Sequence, residues 1–475
     1  MATANRPILL LLLLQLLVAV PGGARALAAD AALGVITVAA QAHPLDKDAV
    51  TGDWPCFLGP HHNGVCDETK LVKTLLKEGP RLLWSMTRGT GYCSPAVAKD
   101  HLVYLHRDQD AEIVECLQAE SGTRRWSKRF PSSYTDRYGY NNGPRATPII
   151  DGERIYIFSV QGVLRCLALA DGATIWERDL AGDYKVAQNF FGVGSSPLLA
   201  GELLIINIGA PGGPGVVGVE RSSGKTVWTC DDQWGPSYAS PVPAMIHGKP
   251  RVMVFAGGES RPPTGGLLCL DPVSGALDFR FPWRSHSYES VNAASPVVIG
   301  DQVFITASYQ TGGALLNIAA DFTAKSAWTT PDFGCHFSTP LRRGGYLYGF
   351  HGRNEPDVEF ACIEIATGKV AWSERPEWQD TMTVGGKLRN ATLSIFRGEL
   401  IDVDGSCLCL GEMGHLLWLE LTPKGYKELA RCWLFPAPET WTPPVISRGL
   451  LYVCQNRPGN DGSPPRLLCY DLRGP

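Results

Sequence analysis

Thr147-Pro148-Ile149-Ile150, Arg154-Ile155-Tyr156-Ile157-Phe158, Val163-Leu164-Arg165-Cys166-Leu167 and Asp171-Gly172-Ala173-Thr174-Ile175-Trp176 read as four short strands in succession. The last follows a turn that ends in Gly and is centred on Trp. The same cassette recurs from Ser94-Pro95 to Trp126, Ser196-Pro197 to Trp228, Ser240-Pro241 to Phe279, Ser295-Pro296 to Trp328 and Thr339-Pro340 to Trp372. A seventh, degenerate copy starts near Leu400. An eighth runs from Pro443-Pro444 to Tyr470-Asp471-Leu472-Arg473-Gly474 and lacks its Trp strand. Arg81-Leu82-Leu83-Trp84-Ser85 supplies it, because it matches Ala173-Thr174-Ile175-Trp176-Glu177. Four strands per unit, at a period of about 40 to 60 residues, define a β-propeller. The expected fold is therefore all-β: an eight-bladed propeller with four-stranded antiparallel blades, closed by an N-terminal strand.

The chain divides into three expected parts. Residues 1–29 read as a signal peptide: Arg6 gives positive charge, Ile8 to Val20 is apolar, and Ala26-Leu27-Ala28 offers small residues for cleavage. That run is short for a membrane span, which needs about 20 residues, so export to the periplasm or beyond is expected, with no membrane span. Residues 30–79 read as a linker and strap, with little to order 30–52 and a compact aromatic and proline segment from Asp53-Trp54-Pro55 that packs on one face of the ring. Residues 80–475 are the propeller. Net charge is −4, with Lys+Arg 43 against Asp+Glu 47. That balance excludes a nucleic-acid binder, which needs a basic face.

Fourteen Cys in an exported chain suggest disulfides. However, Cys116, Cys166, Cys269, Cys362 and Cys469 share one cassette position, with Gly218 and Asn317 in its place in two other copies. Stacked sheets lie about 10 Å apart, beyond the reach of about 7 Å for a disulfide. These cysteines are expected as buried thiols. Cys56 and Cys66 flank a turn, and a local disulfide between them stays open. Trp84, Trp126, Trp176, Trp228, Trp328 and Trp372 are expected to dock blade on blade, since indole buries a large area and donates one N–H. In the seventh copy, Thr381 to Phe396 reads as an insertion or long loop, and Trp433 as the outer aromatic.

Gly172-Ala173-Thr174-Ile175-Trp176, Gly224-Lys225-Thr226-Val227-Trp228 and Gly368-Lys369-Val370-Ala371-Trp372 carry a resemblance. With the Ser/Thr-Pro strands they resemble the tryptophan-docking repeat of the PQQ-like (pyrroloquinoline-quinone-like) β-propellers, over about residues 80–475. Asp53-Trp54-Pro55, Gly59-Pro60 and Asn63-Gly64-Val65 resemble exported bacterial members. The resemblance implies either a quinoprotein dehydrogenase or a cofactor-free interaction scaffold. The dehydrogenases hold a quinone with an adjacent-cysteine disulfide ring, a Trp, Ca²⁺ and an Asp base. This chain has no Cys-Cys pair. Cys407 and Cys409, on a predicted strand, share a face without forming that ring.

Residues just before each inner strand should rim the funnel. Tyr92, Arg145, Tyr238, Asn292, His336 and Trp441 are the candidate ligand-binding set. Aromatic faces stack on flat ligands, and Arg145 could clamp a carboxylate. No metal is expected; Glu289 with Asn292 is the pair to inspect for Ca²⁺, which takes oxygen ligands. No histidine spacing fits zinc, and no catalytic residue stands out. The function expected is a monomeric scaffold that binds a protein, a small molecule or a carbohydrate through the funnel mouth. The first alternative is a PQQ-dependent alcohol or sugar dehydrogenase with Ca²⁺; the second is a carbohydrate-binding or carbohydrate-acting propeller.

Overall fold

The computed structural model describes residues 34–384 and 386–474. The expected signal peptide lies outside them. Among the described residues, no helix is long and apolar enough to cross a membrane.

Eight antiparallel blades form the ring. Blade 1 spans Ala96–Ala98 to Arg124–Pro131, blade 2 Ile149–Asp151 to Thr174–Asp179, blade 3 Leu198–Ala200 to Thr226–Cys230 and blade 4 Val242–Ile246 to Leu277–Pro282. Blade 5 spans Val297–Ile299 to Ala324–Thr330, blade 6 Leu341–Arg343 to Val370–Glu374 and blade 7 Glu399–Val403 to Gly425–Trp433. In blade 8, Val445–Ser447, Leu450–Gln455 and Arg466–Asp471 are completed by Arg81–Thr87. The ring thus closes as the sequence predicts, with Trp84 opposite Cys469.

The Ser/Thr-Pro motif has a physical reason. Thr147 N–H donates to Ser196 Oγ (2.9 Å), Ser196 N–H to Ser240 Oγ (2.9 Å), Ser240 N–H to Ser295 Oγ (3.1 Å) and Ser295 N–H to Thr339 Oγ1 (3.0 Å). Each hydroxyl satisfies a buried amide of the blade before it. The motif therefore stitches inner strands together around the funnel.

Indoles stitch the outer edge. Trp84 Nε1 donates to Ala119 O, Trp126 to Leu169 O, Trp176 to Arg221 O, Trp228 to Pro272 O, Trp328 to Ile365 O and Trp372 to Thr422 O, at 2.8–3.2 Å. Every acceptor lies at or just after the end of the third strand of the next blade. Gly122 and Gly172 lie flat on Trp84 and Trp126, where a Cβ would sit 2.7 Å from the ring. Blade 4 carries Phe279 instead, and the turn it meets in blade 5 carries Phe322 at φ 63 in place of glycine. Both phenylalanines belong to one apolar cluster. The larger turn residue thus goes with a smaller docking ring that has no N–H to satisfy.

Several expectations are corrected. In blade 5, Leu315 rather than Asn317 faces the docking Trp328. In blade 7 the pair is inverted: buried Trp418 lies on the third strand opposite Ala430. Blade 8 has no turn between its third and fourth strands, which come from opposite ends of the described chain, so an outer Trp in blade 7 would have nothing to dock on. Trp433 instead covers its own blade, stacking on His415 at 4.5 Å and donating to Met413 O. The insertion before blade 7 is a hairpin, Glu377–Val384 with Lys387–Ser394, not a long loop. Within the segment 30–52, expected to have little to order it, Ile36–Val38 forms a fifth strand on blade 8, with Val38 opposite Trp84. All fourteen cysteines are free and buried, Cys56 and Cys66 included. Same-face Cys407 and Cys409 both lie at 0 % exposure.

The strap crosses one face of the ring. Trp54 bridges Val97 in blade 1, Pro55 O accepts from Ile150 N–H in blade 2, and Val65–Cys66 runs parallel to Asp402–Val403 in blade 7. Glu68 then accepts from Arg448 and Gly449 N–H in blade 8. The loops joining each outer strand to the next inner strand lie on the opposite face.

Candidate functional site

On that opposite face, loops from distant blades meet ring to ring. Tyr92 packs on Trp441 at 5.3 Å, Trp441 on Phe337 at 5.6 Å and Phe337 on His336 at 5.5 Å. On the other side Trp441 meets Tyr140 at 6.1 Å, Tyr140 meets Phe191 at 5.7 Å, and Phe191 meets Tyr238 at 5.6 Å. These residues precede blades 1, 2, 3, 4, 6 and 8, so the belt roofs the funnel rather than lining one wall. Tyr138 and Tyr140 stand about half exposed, at 50 % and 44 %.

The roof is held from beneath by charge pairs. Trp441 Nε1 donates to Glu412 Oε1 at 2.7 Å. Glu412 is buried and bonded to Arg397, whose guanidinium lies 4.9 Å from the Trp441 ring and reaches Glu355 at 2.6 Å. Tyr92 Oη donates to Glu439 at 2.7 Å, and Glu439 pairs with Arg457 at 3.3 Å. These carboxylates and guanidiniums neutralise one another, which fixes the rings but leaves little charge for a ligand. Burial, with Arg397 and Arg353 close by, pushes His336 down to about 3, so its ring is neutral.

The candidates separate on this geometry. Tyr92, Tyr238, His336 and Trp441 stand in the belt. Arg145 lies 5.8 Å from the Tyr92 ring, but its guanidinium is committed to Asp136 (2.9 Å), Gly143 O and Asn141 O. It is a strut of its own loop, not the free clamp expected. Asn292 is wholly buried, and its Nδ2 donates to Ala256 O and Trp283 O. Glu289 is exposed, and its own backbone N–H, then the Ser287 hydroxyl, hold its carboxyl low. An exposed carboxylate and a buried amide share no ligand position, so the pair does not fit Ca²⁺. Among the described residues, no three His, Cys, Asp or Glu side chains are grouped to hold a metal.

Arg284 is a partly buried cation without a carboxylate partner that sequence reasoning missed. Its Nε donates to Ser290 Oγ at 2.9 Å and its Nη2 to Ser290 O, while Nη1 is buried without a partner. No carboxylate among the described residues pairs with it. Burial pulls it down to about 10, with only the Tyr309 and Tyr238 phenols opposing that. A guanidinium desolvated without a counter-charge favours an incoming anion. Arg284 and Tyr140 both sit mid-loop, several residues before the Ser/Thr-Pro marker, and only the fold shows that these loops turn back over the funnel.

An eight-bladed ring with tryptophan-docked blades is the architecture of the PQQ-like propellers. The family model described as outer membrane protein assembly factor BamB matches residues 110–374, more than half of the sequence, and the chain belongs to this family. Solved structures of similar fold include BamB from Moraxella catarrhalis, at 14 % identity and TM-score 0.55, over 82 % of this chain and 99 % of that one. Quinohemoprotein alcohol dehydrogenase from Comamonas testosteroni is similar at 11 % identity and TM-score 0.59, over 89 % of this chain and 81 % of that one. At such identities the likeness is one of fold. No curated protein sequence matches the chain.

Proposed function

We propose that this protein is an interaction module that binds through its funnel roof, taking an aromatic or flat group on the belt and an anionic group at Arg284. The observation that carries this reading is the pairing of a half-exposed aromatic roof with the Arg284 guanidinium, which has no carboxylate partner among the described residues and a buried, unpartnered Nη1. BamB, described as an assembly factor, supports a protein partner. Export to the periplasm or beyond belongs to the same reading and draws on residues 1–29.

Arg284 gives a two-sided test. An unpaired, partly buried charge costs the fold stability. Arg284→Gln is therefore expected to stabilise the protein, by on the order of 1 kcal/mol in urea unfolding. The same variant should weaken partner capture at least tenfold in a photo-crosslinking assay with the probe at position 140. A loss of stability would show that the guanidinium is structural.

The alternative is a quinone-dependent dehydrogenase, and Arg284 would suit a carboxylate of the quinone. Against it stand the absent cysteine pair and the unsuitable Glu289 and Asn292. Protein incubated with PQQ and millimolar Ca²⁺ is expected to leave alcohols and sugars unoxidised. Turnover in that assay would overturn the scaffold reading.

A further inference from the structure

We propose that a recess between blades 2 and 3, distinct from the funnel roof, is a binding site for a neutral, hydroxyl-rich ligand of one or two sugar rings. The recess measures about 310 Å³, at the small end of the range for ligand pockets. Its floor is apolar, formed by Phe158, Val160 and Ile208 where second strands end. Its walls come from the loop 133–135, Gln161, Gln188 and Ser195. The walls are tied in place: Gln161 bonds Ser133 through both ends of its carboxamide, and Gln188 Nε2 donates to Thr135 O at 3.0 Å.

Two features point to an occupant. Ser195 is 5 % exposed, yet its buried Oγ has no partner. Tyr134, also 5 % exposed, has a buried Oη with no hydrogen bond of normal geometry; the Gln188 carboxamide lies beside it, and the Arg145 guanidinium, itself paired with Asp136, stands 5.7 Å from its ring. Burial raises the Tyr134 phenol to about 12, so it stays protonated and can donate. A buried hydroxyl left unmatched is costly, and both of these lie at the recess.

The chemistry of the lining selects the ligand. No lining side chain carries a charge. An ionic ligand would lose its hydration and meet no counter-charge. A purely apolar ligand would leave Ser195 and Tyr134 unmatched. A sugar presents C–H faces to the floor and hydroxyls to serine, tyrosine and carboxamide groups. The site stands apart from the funnel reading, although the two share a wall: a Cβ on Gly194 would lie 2.5 Å from Tyr238 Cδ1.

Calorimetric titration with glucose, galactose, N-acetylglucosamine and maltose tests the proposal, with glucuronate and glucosamine as charged counterparts. At least one neutral sugar is expected to saturate one site, and the charged counterparts to bind at least tenfold more weakly. Tyr134→Phe and Ser195→Ala should each weaken that sugar about tenfold, the equivalent of one lost buried hydrogen bond. Gln188→Ala, at an exposed position, should do so without changing the thermal midpoint. Trp441→Ala should leave sugar binding unchanged. The proposal fails if no neutral sugar binds at 50 mM, on the order of ten times a weak millimolar constant. It fails equally if Trp441→Ala rather than the recess variants removes binding, or if charged and neutral sugars bind alike.

Discussion

Replacing Trp84 by alanine is expected to lower the stability of the propeller by about 3–5 kcal/mol, the range for deleting a fully buried indole. Trp84 is 0 % exposed, donates to Ala119 O in blade 1 and packs on Gly122 and Tyr452. Its counterpart Trp176 makes the same kind of bond to Arg221 O but stays partly exposed. The difference lies in the covering strand: Ile36–Val38 lies over Trp84, while among the described residues no other blade has a fifth strand on its outer edge. Blade 8 also lacks a local turn between Arg466–Asp471 and Arg81–Thr87, so pairing those strands closes a loop of nearly the whole ring. Closure of so long a loop is entropically unfavourable and must be offset by side-chain contacts at the seam. Trp84→Ala should therefore cost about twice as much as Trp176→Ala, as read from paired urea unfolding curves. Equal losses would mean that the seam is no weaker a point than any other blade edge.

Most of the fold is legible in the sequence because each blade repeats the same local solution. A Ser or Thr before Pro marks the inner strand, since its hydroxyl must reach the neighbouring blade. Gly four residues before Trp marks the outer strand, since the indole of the preceding blade leaves no room for a Cβ. Where these constraints relax, the reading slips. Thirteen residues separate Leu315 from its partner Trp328, against ten between Cys116 and Trp126, so the common spacing does not reach Leu315, and the expected Asn317 lies two residues past it. In blade 7 the docking constraint is absent, so the large residue moves to the third strand as Trp418. No periodicity signals that exchange.

The site is less legible for a different reason. Rim residues next to the Ser/Thr-Pro marker can be named by position, and Tyr92, Tyr238, His336 and Trp441 do join one belt. Whether a polar group is free or occupied depends on contacts far along the chain. Arg145 and Arg284 look alike in sequence, but the Asp136 carboxylate engages the first, while only Ser290 engages the second and no carboxylate among the described residues does. Glu412 holds Trp441 from 29 residues away, a separation that no motif announces.

Beneath the belt, Glu399 is expected to give the protein an unusual alkaline weakness. Its side chain is 5 % exposed, beside Ser338 Oγ at 3.3 Å and the Cys335 and Cys409 thiols. Burial raises its carboxyl to about 8, and only the Ser338 hydroxyl opposes the shift. In the unfolded chain the group titrates near 4.5. Below that pH both states hold the proton, and the group has no effect on stability. Between about 4.5 and 8 the folded state holds a proton that the unfolded state has released. Stability therefore falls as pH rises through this window, by about 1.4 kcal/mol per unit, and levels off above it. The full loss is on the order of 5 kcal/mol. Glutamine has the shape of the protonated acid and does not titrate. Glu399→Gln should leave the unfolding free energy at pH 4 nearly unchanged and raise it by several kcal/mol at pH 8.5. Buried His336 and His415, both held neutral with lowered pKa values, act in the opposite direction. They contribute stability above pH 6.5 that is lost as pH falls toward 3 or 4, and they do so equally in both proteins. The difference between variant and natural protein therefore isolates Glu399. A variant no more stable than the natural protein at pH 8.5 would mean that Glu399 is ionised in the fold, with water or a rearranged partner supplying the solvation.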